Sequence, residues 1–415
     1  MVPKTDQNIG IDVYCTSFRG CGGKIKTNPS DFQVSEVISE KLQSQIKEMG
    51  DYAVYQLKKQ NIDTNHALDK VFKKTGMRLK ALGLKDSYAL TKQYVCSMNK
   101  SKSIQNFESD KISLERIGYM KKPFTKKDMI GNQFKIKISE HNDLLCDFNE
   151  YDHILNFYGY QRFGSQRAVT HLIGRAIIQR NFLLAINYIL TFTSKYDSKE
   201  NTELRLKLQD NTKYPQMLPK IPPQMDLERI IVKEMIKHND PLTALRALPV
   251  QIRRLYVQAY QSFLFNKTLS MAFNYGEELF SAKDGDVCYD KHSILGKFAA
   301  GLGPQHLAIP VIGYSYFKKT RFHYYISKIL KEEIIEYDCD VYNVEGIIEE
   351  ISPKDFFIKE MQEVSNEGGF RNSTIICNDF SVSGDTVNFT LSRGSFATIL
   401  LREIIKPPDP ILAGF

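Results

Sequence analysis

Between Gly131 and Ile138 apolar and charged residues alternate: Phe134, Ile136 and Ile138 point one way, Lys135 and Lys137 the other. Successive side chains of a strand take opposite faces, so this pattern demands a β-strand with one buried and one wet side. A sheet covered on one face is therefore expected. Phe32–Ile38, Tyr52–Leu57 and Thr91–Met98 are rich in β-formers, and Asn388–Ile405 also reads as strand until Pro407 and Pro408 stop it. Asp63 or Thr64 caps a helix that sets Ala67, Leu68, Val71 and Phe72 on one face and ends at Lys73, Lys74 and Gly76. Met77–Leu82 is expected to be a short helical segment leading into a loop.

The middle of the chain has a helical period instead. Ser165–Asn181 places Val169, Leu172, Ile173, Ala176 and Ile177 on one side and Arg167, His171 and Arg175 on the other. That polar stripe is either a solvated face or a ridge that grips phosphate. Thr193–Gln224 is polar and ends in Pro215, Pro219, Pro222 and Pro223, which predicts a loop or surface insertion. Pro249 opens a long helix through Leu255, Tyr256, Ala259, Tyr260, Phe263 and Leu264, most of which should be core.

A chain of 415 residues with 42% hydrophobic content has room for two domains. No apolar run has membrane-crossing length, and Met1–Gly10 lacks the apolar stretch of a signal peptide. The 7 cysteines (Cys15, Cys21, Cys96, Cys146, Cys288, Cys339 and Cys377) form no C-x-x-C pair, which argues against a zinc site or a disulfide framework. A reduced, cytoplasmic protein is expected. The net charge of +8 gathers at Lys121, Lys122, Lys126 and Lys127, at Arg162, Arg167 and Arg175, and at Arg253 and Arg254. Such clusters suit either a solubilising face or a phosphate backbone.

The stretch Gly83-Leu84-Lys85-Asp86-Ser87-Tyr88-Ala89-Leu90-Thr91-Lys92-Gln93 puts a carboxylate directly after a lysine on a glycine-started loop that leads into a strand. A loop held by regular elements is where a scaffold presents catalytic groups. By chemistry alone Asp86 is a candidate and no more, since most Lys-Asp pairs in turns are solvated.

The pattern G-x-K-D-x-x-A-x-T-x-Q resembles the signature of the TruD family of pseudouridine synthases. Three further stretches are similar to family elements and follow in the family's order. They are Lys26-Thr27-Asn28-Pro29-Ser30-Asp31-Phe32-Gln33-Val34-Ser35-Glu36, Asn156-Phe157-Tyr158-Gly159-Tyr160-Gln161-Arg162-Phe163-Gly164 and Gly394-Ser395-Phe396-Ala397-Thr398. The last is expected to be a strand. Ser30 departs from the pattern, standing where relatives often carry Glu, and Tyr158 stands where many bacterial relatives have Phe.

The resemblance implies an α+β fold. Residues 1–164 and 371–415 would form a pseudouridine synthase catalytic core with a mixed or antiparallel sheet, interrupted by an inserted α+β domain over 165–370. It implies isomerisation of a tRNA uridine, usually the thirteenth nucleotide, by an aspartate nucleophile without metal or organic cofactor. Asp86 would be that nucleophile, acting at the sugar directly or through a glycal, with Lys26 as its charge partner. Phe32 and Phe396 would contact the flipped base or its sugar, Asn156 would hydrogen-bond nearby, and Tyr158 and Arg402 would belong to the same site. Arg162 would touch RNA or pin its own loop. The partner implied is tRNA, with no membrane, and a monomer is expected. Two rival classes remain at this level: an RNA-binding protein without catalysis, and a metal-dependent nuclease using Asp86, Asp31 and Glu36.

Overall fold

The computed structural model describes residues 1–83, 85, 87–100, 103–332 and 351–415. Leu84 and Asp86 of the motif, and Cys339, lie outside the described residues. The chain divides into two compact units, Thr16–Ile154 with Ile375–Phe415, and Met1–Cys15 with Leu155–Thr374. The sequence placed the changeovers at 164 and 371; compactness puts them at 154 and 374 and assigns the first 15 residues to the second unit. The architecture is α+β, with one mixed and one antiparallel sheet.

Strands run in chain order as β1 (Phe32–Ile38), β2 (Tyr52–Gln60), β3 (Leu79–Ala81), β4 (Leu90–Ser97), β5 (Asn106–Ser109), β6 (Ile112–Met120) and β7 (Met129–Lys137). Then come β8 (Val287–Asp290), β9 (Leu295–Lys297), β10 (Gln305–Val311), β11 (Gly369–Asn372), β12 (Cys377–Ser383) and β13 (Thr386–Ser392). The first unit holds a 9-stranded sheet in the order β12-β13-β7-β1-β4-β2-β6-β5, with β3 hydrogen-bonded to β4. Its pairs are antiparallel except β1 with β4, where Val34 lies beside Thr91. The alternation read at β7 is realised: Phe134, Ile136 and Ile138 are buried, Lys135 and Lys137 exposed.

Helix α1 (Thr64–Thr75) is capped by Asp63 and ends on Gly76 in the left-handed conformation at φ 66°. It sets Ala67 and Val71 on Tyr55, Leu57, Leu79, Val95 and Leu114. Phe72, expected on that buried face, is exposed. Met77–Leu82 holds strand β3 rather than a helical segment, so the motif loop closes a β3–β4 hairpin. Three residues are too few for a period to show.

The second unit has helices α2 (Thr170–Ile178), α3 (Phe182–Thr191), α4 (Asp226–His238) and α5 (Val250–Asn274) beside a sheet ordered β11-β10-β8-β9. Thr193–Gln224, expected as a loop, carries helices at Lys199–Lys207 and Tyr214–Met217. Ser198 caps the first, and Pro215 stands in the opening turn of the second, where proline is tolerated. Helix α2 differs from expectation on its polar side. It packs between α3 and α5, and His171 is 2% exposed and Arg175 6%. The stripe is neither a solvated face nor a phosphate ridge. Arg167 likewise donates inward, to the carbonyl of Phe192 at 3.3 Å. Close packing is possible because a Cβ on Gly174 would sit 1.9 Å from the Tyr256 carbonyl oxygen. Arg253 is also spoken for: it is buried and ion-paired with Glu363.

In the first unit, residues after β13 depart from the strand read there. Helix α6 (Ala397–Ile405) begins at Phe396, the N-cap, and all of it is buried. A continuous apolar run fits a buried strand or a buried helix equally, and the left-handed turn at Gly394 (φ 92°) breaks the strand before it. Among the described residues no helix is long and apolar enough to cross a membrane.

Candidate active site

In the first unit, the loop between β3 and β4 is tied to its surroundings at Lys85. The Lys85 ammonium lies 3.1 Å from Glu36 Oε1 on β1, with side-chain exposures of 8% and 0%. It also donates to Asn132 Oδ1 on β7 at 2.7 Å. Glu36 Oε2 accepts the Tyr94 N–H at 2.8 Å. Burial pushes the Glu36 carboxyl above the usual carboxylate range, against the pull of Lys85 and the N–H groups of Tyr94 and Gly83. A Cβ on Gly83 would stand 3.2 Å from Glu36 Oε1, so a side chain there would press on the carboxylate by a few tenths of an ångström. Gln93 closes the hairpin by donating to the Gly83 carbonyl at 3.2 Å.

The first motif element has its own local logic. Pro29–Asp31 is a 3-10 turn whose Asp31 accepts the Asn28 N–H at 2.7 Å, so this acid is a cap. Phe32 is buried at the end of an aromatic ladder that continues edge-on to Phe134 (6.2 Å) and stacked to Phe389 (5.2 Å). Lys26 takes the left-handed conformation at φ 57° and holds its ammonium 4.9 Å from the Phe32 ring centre, a cation–π distance. Phe396, half-buried, caps α6. Arg402 on that helix is 0% exposed and donates to Glu403 Oε1 at 2.9 Å, while Glu403 Oε2 accepts the Thr16 hydroxyl at 2.8 Å.

The second unit gathers Asn156, Tyr158 and Arg162. Asn156 is 4% exposed; its side-chain N–H donates to the Asn372 carbonyl at 3.2 Å, and its Oδ1 accepts from Arg371 at 2.7 Å. The Arg371 guanidinium then lies 4.0 Å from the Tyr158 ring centre, and that of Arg162 lies 5.5 Å from it. Asn266 on α5 grips the Tyr158 backbone from both sides, accepting its N–H at 2.8 Å and donating to its carbonyl at 3.1 Å. Burial holds both guanidinium groups below the ordinary arginine range. The Tyr158 ring is thus a rigid flat surface with positive charge beside it, and the face that Arg371 does not cover has the chemistry on which a base stacks.

The family model described as tRNA pseudouridine synthase D (TruD) matches residues 8–404. The chain belongs to the TruD family. Among curated relatives it is 27% identical to the Pyrobaculum islandicum protein named "Probable tRNA pseudouridine synthase D", over 100% of this chain and 99% of the relative. It is 27% identical to the Archaeoglobus fulgidus protein of the same name, over 97% and 99%. The crystal structure of a Methanosarcina mazei protein assigned as tRNA pseudouridine synthase D (TruD) superposes with a TM-score of 0.75 at 25% identity, covering 99% of both chains. The fold expected from the resemblance is thus the fold observed.

Within this TruD-family chain, the structure brings Lys26 to Phe32, and Asn156 to Tyr158 and Arg162. Sequence reasoning missed Arg371, Asn266 and the partnership of Lys85 with Glu36. The last was findable. Phe32, Val34 and Glu36 share the buried face of β1, and a buried acid calls for a cation. Arg371 lies in no quoted motif and reaches Asn156 across 215 positions of sequence, which leaves no local signal.

Proposed function

We propose that this chain isomerises uridine to pseudouridine in tRNA, at the thirteenth nucleotide, with the Asp86 carboxylate as nucleophile and the 16–154 and 375–415 unit as catalytic core. The reading rests above all on the match to the family over residues 8–404. It is supported by the way Lys85, the residue before Asp86, is locked to β1 and β7. The metal-dependent rival loses ground because Asp31 serves as a cap and Glu36 as the partner of Lys85.

The reaction breaks the N1–C1′ bond, turns the uracil and joins C5 to C1′. The C5 proton is lost and N1 gains one, so atoms and electrons balance without an oxidant or reductant. Asp86 attacks C1′ as N1 of the uracil departs, and C5 of the turned uracil then displaces the carboxylate from C1′, freeing it again; an elimination route through a glycal would use the same carboxylate as base. Lys26 supplies positive charge to keep that carboxylate ionised. Phe32 and Phe396 contact the extruded base or its sugar, Tyr158 offers the stacking surface described above, and Asn156, Arg162 and Arg402 complete the substrate contacts.

The deciding experiment is carbodiimide labelling and primer extension on unmodified tRNA incubated with wild-type and Asp86→Asn proteins. A stop at nucleotide 13 with the wild type alone is expected, with tRNA binding retained by the variant. Product formed by Asp86→Asn would remove Asp86 from the chemistry. A stop elsewhere would keep the synthase and move the target.

A further inference from the structure

The backbone of Lys85 is held at both its N–H and its carbonyl by residues from outside the motif. Its N–H donates to the Thr64 hydroxyl at 2.9 Å, and that hydroxyl donates onward to Gln93 Oε1 at 3.1 Å. Its carbonyl accepts from the Lys59 ammonium at 3.3 Å, and the same ammonium donates to the Ile62 carbonyl at 2.8 Å. Gln93 Nε2 returns to the Gly83 carbonyl. These atoms form one continuous polar chain linking β2, the start of α1, the motif loop and β4. Lys59 is 1% exposed and Thr64 is 1% exposed. A buried ammonium carries a desolvation cost of several kcal/mol that a methionine of similar length would avoid. Among the described residues, that charge holds two backbone carbonyls, those of Ile62 and Lys85.

We infer that Lys59 and Thr64 are positioning residues for the catalytic carboxylate proposed at 86, acting by fixing the backbone of Lys85 next to it. This rests on the function proposed above. Thr64 is the sharper probe. The cap of α1 is Asp63, whose carboxylate accepts the N–H groups of Asn65 and His66, so the helix start does not depend on the Thr64 hydroxyl. Thr64→Val keeps the shape and removes every hydrogen bond of that hydroxyl, including its 3.5 Å contact with the Lys85 carbonyl; Thr64→Ser keeps the hydroxyl.

The test is single-turnover pseudouridine formation at saturating tRNA, run beside tRNA dissociation constants and melting temperatures. Small displacements of a reacting group are costly to rate, so Thr64→Val and Lys59→Met should each slow the step by about tenfold or more. Binding of tRNA should stay near wild type and both variants should remain folded at the assay temperature, though melting lower because each orphans buried polar groups, and Thr64→Ser should return the rate. Wild-type rates in both Thr64→Val and Lys59→Met would overturn the inference. So would a loss accounted for by weaker tRNA binding or by the unfolded fraction at the assay temperature, or a Thr64→Ser protein as slow as Thr64→Val. A wild-type protein that makes no pseudouridine on any tRNA would instead remove the proposed function, and with it the group to be positioned.

Discussion

His171 should make the second unit acid-sensitive. Its ring is stacked on Phe263 at 4.9 Å, meets Phe163 edge-on at 5.5 Å, and has the buried Arg175 one helical turn away. Complete burial, with Arg175 adding to it, holds its pKa down to about 3 from the ordinary 6.5. The folded protein therefore keeps this imidazole neutral. Below pH 6.5 the unfolded chain takes up a proton that the folded chain refuses, so stability is full above that value and declines as pH falls toward 3. The slope approaches about 1.4 kcal/mol per pH unit, which integrates to ~2 kcal/mol at pH 5. Other acids titrate in the same range, so the informative quantity is a difference. The His171→Phe protein keeps an aromatic in the sandwich and lacks the proton. Urea denaturation of both proteins at pH 7.5 and pH 5 should show the wild type losing ~2 kcal/mol more than the variant. The His171 ring proton in NMR should not titrate over that interval. A difference independent of pH, or a ring that titrates near 6.5 and responds to added phosphate, would refute the argument and restore the exposed ridge.

Breaking the Glu36–Lys85 pair by Glu36→Gln or Lys85→Met should cost about 3–5 kcal/mol each, because one charge is left buried; the double variant should cost less than the two together, read by denaturation in a double-mutant cycle. Arg371→Met should lower stability by ~2 kcal/mol through the orphaned Asn156 Oδ1, and should weaken tRNA binding if Tyr158 is a stacking surface, measured by filter binding. Gly174→Ala should lower the melting temperature, since its Cβ would overlap the Tyr256 carbonyl and force α2 and α5 apart at ~1–3 kcal/mol or more.

Local pattern sufficed where one period and one cap speak together. The strand at β1, the Asp63-capped helix ending on Gly76, the alternation in β7 and the helix after Pro249 were all legible. It failed where burial is complete on every side. The polar stripe of α2 looked outward because amphipathic arguments assume a wet face, and α2 has none. The apolar α6 looked like strand for the same reason. At the candidate site, the motif residues were legible as a set, but their division of labour was not. Which acids cap or pair depends on contacts such as Glu36 with Lys85 and Asn156 with Arg371, made between segments far apart in sequence.

The position of β7 in its sheet has a consequence for synthesis. Its neighbour on one side is β1, made shortly before it; on the other it is β13, with Phe389 against Phe134. About 250 residues separate Lys137 from Thr386, so at roughly 5–20 residues per second a ribosome needs ~12–50 s to deliver the missing strand. Throughout that interval the nascent sheet presents an open β7 edge and an uncovered aromatic ladder, a template for pairing with other chains. The second unit waits as well, since Gly10 receives its Ser270 hydrogen bond only after α5 emerges. Release before β12, β13 and α6 are made would leave the sheet unfinished, so folding yield should depend more on completing these elements than on any single side chain near Lys85.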